Sequence, residues 1–296
     1  MYPHLFSEIR VGGLTLKNRL TMAPLYLGYA GSEGTVSDMV LEHYRLMAQS
    51  GVAMVVVENA TVDHPVGSGS NRTLRADTDA NLDGLKRLAA AIKAAGALAC
   101  LQINHAGRFA AVADAVAPSP VPTFGRTPQA LTTRQIRIIQ NQFVKAALRV
   151  KQAGFDMVEL HGGTGYLLSQ FVSPKTNRRD DRYGGTLSKR IAFPLEVLKR
   201  VQDTVGDFPI GYRFLADEWL PDGLKLKESL VLAQALAENG IAYISVMGGT
   251  YESFLLPEVV KKSKRPGYMV SLANAVKRKV KVPVITAGLP RGSRLA

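Results

Sequence analysis

Thr132 to His161 reads TTRQIRIIQNQFVKAALRVKQAGFDMVELH, and the fold turns on this stretch. Ile136, Ile139, Phe143, Ala147 and Val150 recur at helical spacing, so they share one face. The two threonines can cap the first turn, and Gly154 offers a stop. Directly afterwards Met157–His161 is short and mostly apolar, as suits a strand buried on both faces. A helix that runs at once into a buried strand is the repeating unit of a parallel α/β sheet.

The same alternation extends in both directions. Strands are expected at Leu20–Met22, Met54–Glu58, Leu98–Ile103, Ile210–Phe214, Tyr243–Val246 and Val282–Thr286. Between them, Val40–Gln49, Leu82–Ala95, Ser188–Val205, Lys227–Glu238 and Ser271–Lys279 read as helices. Several helices end at a glycine, as at Gly51, Gly96, Gly206 and Gly240. An open doubly wound sheet and a closed (β/α)8 TIM-type barrel both satisfy this pattern, so periodicity leaves both open. No linker or charge block divides residues 1–296, and a single domain is the simplest account. The proline-rich segment Ala115–Pro128 reads as a loop excursion.

The totals narrow the class. With 296 residues, 46% of them hydrophobic and 21% charged, the chain suits one soluble α/β barrel. No run of about 18 apolar residues predicts a membrane span, and Met1–Arg10 lacks the pattern of a signal peptide. A cytoplasmic protein with no membrane partner is expected. Cys100 is the only cysteine, which excludes internal disulfides and cysteine-rich metal sites. The net charge of +13 is spread in pairs such as Lys86-Arg87 and Lys261-Lys262, with Trp219 the only tryptophan. A solvated basic surface explains this better than a nucleic-acid interface.

Barrel enzymes carry their chemistry at the C-terminal ends of the strands. Those ends are Ala23-Pro24, Glu58-Asn59, Gln102 to His105, Glu159-Leu160-His161, Arg213, Met247-Gly248-Gly249 and Ala287-Gly288. Amide, imidazole and guanidinium groups thus gather on one rim. Here motifs appear in order. Gln102-Ile-Asn-His105-Ala-Gly107-Arg108 follows an opening Leu16-Lys17-Asn18-Arg19 and Met22-Ala23-Pro24. Asn177-Arg-Arg179-Asp-Asp181-Arg-Tyr183-Gly184-Gly185, with Arg190 after it, is the most specific of them. From about Leu5 to Gly288 the chain resembles the Old Yellow Enzyme family, including the barrels of 2,4-dienoyl-CoA reductases.

That resemblance implies FMN as cofactor and NADH or NADPH as reductant. It implies that Gln102 meets the pyrimidine edge of the flavin and that Arg213 stands by its N1/C2 region. Pro24, Leu25, Tyr26, Asn59, Gly248 and Gly288 would complete the cofactor seat. His161 would polarise the carbonyl of an enone or enoyl substrate, and Tyr166 would protonate the α-carbon. Thr164 stands where relatives carry a second histidine or asparagine, and a hydroxyl can still donate there. Without the motifs, His161 and Tyr166 would read as a buried histidine and a packing tyrosine. The reading leaves room for a homo-oligomer.

The resemblance also implies an eighth strand ending in Gly-Arg beside the FMN phosphate. Here Leu289-Pro-Arg291-Gly-Ser-Arg294-Leu-Ala296 ends the chain, and only seven strands can be counted. The expectation is a barrel without its final βα unit. Two functions follow: an FMN-dependent enoate reductase, or an inactive barrel fragment with weak flavin binding. A sugar-phosphate isomerase or aldolase ranks last, because the strand ends show no lysine or paired carboxylates suited to it.

Overall fold

The structure is a computed structural model and describes residues 3–288. Seven strands form one sheet: β1 (Thr21–Met22), β2 (Met54–Thr61), β3 (Leu98–Asn104), β4 (Met157–Gly162), β5 (Ile210–Asp217), β6 (Tyr243–Gly248) and β7 (Val284–Thr286). Each strand pairs in parallel with its successor, from β1 across to β7. A doubly wound sheet reverses its strand order at a switch point. Here the order runs one way, and the sheet curls as the wall of a barrel does. The segment Leu289–Ala296, including Arg291 and Arg294, lies outside the described residues.

Alternation along the strands separates two cores. Val55, Val57, Ala99, Leu101, Val158, Leu160, Ile244 and Val246 face outward into the main cluster with the helices. Their neighbours Met54, Val56, Cys100, Met157 and Tyr243 face inward and form a second cluster. Residues of opposite parity point to opposite faces, so both sides of the sheet are dry. A hairpin, Ile9–Val11 paired antiparallel with Leu14–Leu16, contributes Val11 and Leu16 to the inner cluster and closes the floor. Gly12 sits in its turn at φ +54°, and a side chain there would strike Pro209 and Ala242.

The outer layer comprises α1 (Asp38–Gln49), α2 (Leu82–Ala94), α3 (Thr133–Gln152), α4 (Leu167–Val172), α5 (Leu187–Arg190), α6 (Ala192–Val205), α7 (Leu226–Glu238), α8 (Pro257–Ser263) and α9 (Val270–Lys277). In α3 the five apolar residues of the opening stretch are all buried. Its start is a capping box: Gln135 N donates to Thr132 Oγ1 at 3.2 Å, and Thr132 N donates to Gln135 Oε1 at 2.9 Å. The helix expected at Ser188–Val205 is two pieces joined at Ile191. Pro194 is the reason: it has no N–H to offer the carbonyl of Arg190 and crowds it. Pro283 likewise gives the last strand a later start than expected, though its carbonyl still accepts from Ile244 N at 3.0 Å.

The segment Asn177–Gly185 is a brace. Asn177 Nδ2 donates to Phe171 O at 2.6 Å and to Tyr183 O at 2.7 Å. Arg179 Nη1 donates to Pro118 O at 2.9 Å and to Leu131 O at 2.5 Å. Arg190 Nη1 reaches Val172 O at 2.6 Å. The loop after β4 is thereby fastened to the excursion after β3. Among the described residues, no helix is long and apolar enough to cross a membrane.

Candidate active site at the carboxyl rim of the sheet

Strand parity places Gln102, Glu159, His161, Arg213 and Ser245 on the inner face, above the apolar floor. The register sets Gln102 beside Glu159, and His161 beside Arg213, which in turn lies beside Ser245. Gln102 Nε2 donates to Glu159 Oε1 at 2.7 Å, and Tyr243 OH donates to Oε2 at 2.8 Å. Tyr243 reaches Glu159 because Gly211 stands between them in the register with no side chain, and a Cβ there would collide with the tyrosine ring. Arg213 Nη1 donates to Ser245 Oγ at 2.7 Å.

Burial and charge set the protonation of this row. Burial raises the pKa of Glu159, while Arg213 opposes the rise. Burial lowers that of Arg213, and Glu159 counters it. His161 is pushed well below the usual histidine value by burial, with the Arg213 charge adding to the effect. Gly163 N donates to His161 Nδ1 at 3.2 Å, so that nitrogen is the acceptor. A neutral ring with an occupied Nδ1 lone pair carries its proton on Nε2. His161 is therefore a neutral hydrogen-bond donor.

Tyr166 directly precedes α4 and packs edge-on against His161, with ring centroids 4.8 Å apart. Its hydroxyl lies 2.7 Å from that of Tyr251 and 3.5 Å from Asn59 Nδ2. Burial, then Tyr251, raises the Tyr166 pKa well above 10, so the phenol keeps its proton. Thr164 adopts φ +58°, an uncommon conformation for a β-branched residue, and its hydroxyl donates to Met247 Sδ at 3.4 Å. Tyr26 OH lies 2.5 Å from Ser70 Oγ.

One cavity of about 180 Å³ brings together Pro24, Leu25, Tyr26, Asn59, Gln102, His161, Thr164 and Tyr166, with Glu58 and Tyr251 completing its wall. Arg213, Gly248 and Gly288 do not line it. Arg213 sits one strand over from His161. Gly248 packs under Trp219 and Leu272 and gives its N–H to Met269 Sδ at 3.1 Å. Gly288, at φ +127°, adjoins the Tyr268 ring. Two residues had no place in the site read from sequence. Tyr251 follows β6 in an aperiodic turn, where only its aromatic character beyond a strand end could have flagged it. Glu58 was visible at a strand end but carried no role; its Oε2 accepts from Leu27 N at 2.5 Å. Burial pushes the Glu58 carboxyl up to about 7.

A one-way parallel α/β sheet with a polar cavity at its carboxyl rim is the arrangement of a barrel-type enzyme fold rather than of a doubly wound one. The chain belongs to the NADH:flavin oxidoreductase / NADH oxidase family, whose model matches residues 4–292. It is 41% identical over 304 residues to an NADH oxidase of Thermoanaerobacter brockii, covering 100% of this chain and 46% of the relative. An NADPH dehydrogenase of Geobacillus sp. (strain WCH70) is 35% identical over 289 residues, with 96% of this chain and 83% of the relative covered. The chain thus spans about half the length of some relatives, including the NADH oxidase, and most of others. Among solved structures, a 2-naphthoyl-CoA reductase in complex with 2-naphthoyl-CoA superposes at TM-score 0.91 and 29% identity, over 97% of this chain and 47% of that one. Morphinone reductase in complex with tetrahydroNAD gives TM-score 0.80 and 28% identity, over 97% and 80%.

FMN is the cofactor of this family, with NADH or NADPH as reductant. The residues present fit it. Asn59 Oδ1 and Glu58 Oε1 are buried, have no hydrogen-bond partner and belong to the cavity wall. Such atoms are costly unless a ligand satisfies them. Beside them Gln102 offers an amide, so the wall suits a heteroaromatic ring edge that mixes N–H and C=O groups.

Proposed function

We propose that the chain is an FMN-dependent oxidoreductase that uses NADH or NADPH to reduce an alkene conjugated to a carbonyl. The observation that carries this is the pairing, in one cavity, of a neutral imidazole donor and a protonated phenol. Gln102, Asn59, Pro24, Leu25 and Tyr26 would hold the flavin ring. Arg213 would set the charge beside it, with Gly248 and Gly288 at neighbouring strand ends. When bound, FMN supplies two-electron transfer between the nicotinamide and the substrate.

The chain's own residues do the rest. His161 Nε2–H donates to the substrate carbonyl oxygen and stabilises the negative charge that develops there. Tyr166 gives its proton to the α-carbon as general acid. Tyr251, hydrogen-bonded to Tyr166 and 43% exposed, connects that buried phenol to solvent and can restore the proton. Thr164 adds a second donor at the same wall once its hydroxyl leaves Met247.

The test is to saturate the purified protein with FMN, remove the excess by gel filtration, and assay NADH or NADPH consumption with an enal. A retained flavin band near one per chain and alkene-dependent turnover are expected. Retained flavin without turnover of any conjugated alkene refutes the reductase reading, and a colourless folded protein favours the inactive-barrel alternative.

A further inference from the structure

A second cavity, of about 300 Å³, adjoins the first and shares Tyr26, Asn59, Tyr166 and Tyr251 with it. Nothing in the reduction chemistry above uses its outer half. That half is walled by Phe109, Phe124 and Arg126, with Ser70 and Thr73 as small polar groups. Phe109 meets Tyr251 edge-on at 5.2 Å and Phe124 at a tilt at 5.8 Å, so three aromatic rings frame the space.

Phe124 is held there against two preferences. It is 52% exposed, and its backbone sits at φ +44°, a left-handed conformation unfavourable for a bulky side chain. The turn around it is pinned by paired bonds between Thr123 and Arg126, at 2.8 and 2.9 Å. Thr123 Oγ1 also donates to Glu252 Oε1 at 3.0 Å, and Glu252 pairs with the buried Arg108. Phe109 follows Arg108 in the chain and Tyr251 precedes Glu252. One ion pair therefore locks the two loops that supply the rings, and the aromatic frame is organised in advance of any ligand. Arg126 Nη1 donates to Val112 O at 3.2 Å, which places the guanidinium at the wall. Among the described residues no acid pairs with it.

We propose that this outer cavity is a specificity subsite for an arene attached to the reacting alkene and bearing an anionic substituent. The arene lies within the Phe109, Phe124 and Tyr251 frame, where edge and face contacts favour planar rings. The anion meets Arg126 at the rim. The inference rests on the proposed function only for where the alkene sits.

Binding is measured by calorimetry on the oxidised, FMN-loaded protein without nicotinamide, so that no turnover intervenes. The probes are 4-carboxycinnamaldehyde, its methyl ester, and crotonaldehyde, which has a methyl group in place of the ring. The aryl acid is expected to bind at least about tenfold more tightly than crotonaldehyde, and Phe124→Ala to erase about tenfold of that advantage. Arg126→Ala, at an exposed position, should weaken the acid several-fold more than the ester. Equal binding of the aryl and methyl aldehydes, or variants that shift all three probes alike, would overturn the subsite. If the aryl acid binds as expected but no enal is reduced with NADH or NADPH, the subsite stands and the reductase reading falls.

Discussion

The side chain of Gln102 and the carboxylate of Glu159, on adjacent strands in register, are joined by a 2.7 Å hydrogen bond in which the amide donates. That bond orients the amide: with Nε2 committed to Glu159, Oε1 is left to accept from a ligand N–H. A buried carboxylate thus positions Gln102, a residue of the proposed flavin seat, without lining the cavity itself. Glu159→Gln keeps the shape but lets the facing amides turn over. FMN affinity, followed by quenching of flavin fluorescence, should fall about tenfold, the scale of one charge-assisted bond. An unchanged Kd would separate Gln102 from this control.

His161→Ala should lower enal turnover by about 10²–10³-fold, as for loss of one oxyanion donor. FMN should remain bound, because only the substrate contact goes; unaltered turnover in the flavin-loaded variant would remove His161 from the reaction.

The same histidine makes stability depend on pH. Its folded pKa is depressed, whereas in the unfolded chain it titrates near 6.5. Below that value the unfolded state binds the extra proton, so stability is present above about pH 6.5 and is lost as pH falls. The urea midpoint should drop between pH 7.5 and 5.5, and His161→Asn should shrink the drop. A drop of equal size in the variant would assign it to other groups.

Glu58 works in the opposite sense. Its folded pKa, about 7, is above that of a free glutamate. The neutral acid is therefore favoured in the fold, and the contribution is lost as pH rises through about 7. Glu58→Gln mimics the neutral acid and can still accept from Leu27 N. It should raise Tm more at pH 8.5 than at pH 5.5, by about 2 kcal/mol of extra stability, because the folded carboxyl titrates near 7 and only the span between 5.5 and that value counts. Equal effects at both pH values would contradict a raised Glu58.

Tyr166→Phe should slow alkene reduction by about 10²–10⁴-fold, the range for a lost general acid, while flavin reduction by NADPH stays fast. Tyr251→Phe should slow the same step by less, since it removes the resupply of the proton and not the donor. Stopped-flow measurement of the two half-reactions decides this; matching losses in both halves would point to a displaced flavin.

Much of this site was readable because strand parity is strict. Once Met157–His161 is a strand, Glu159 and His161 must share a face with Met157, and the same holds for Cys100 and Gln102. The partners of those groups were not readable. Tyr243 reaches Glu159 only because Gly211 is empty in the neighbouring strand, a relation set by register and invisible along the chain. Tyr251 comes from a turn with no period, and its meeting with Tyr166 spans 85 residues. The hairpin over Ile9–Leu16 escaped because strands of three residues carry too little alternation to register. The break between α5 and α6 was not readable either: the apolar face continues through Pro194, and that face suggests one helix.

The brace around Asn177 has a consequence for kinship. The stretch that most sharply marks the family ties main-chain carbonyls together and lines no part of the cavity at the rim: Asn177 and Arg179 bond Phe171, Tyr183, Pro118 and Leu131. Selection on that stretch would be selection on assembly. A descendant could exchange every side chain that meets its substrate and keep the emblem intact, or lose its reaction entirely and still wear it. Lineage and livelihood are thus written in different parts of this chain, and the short turns bearing Thr164, Phe124 and Tyr251 are where one would look for the second.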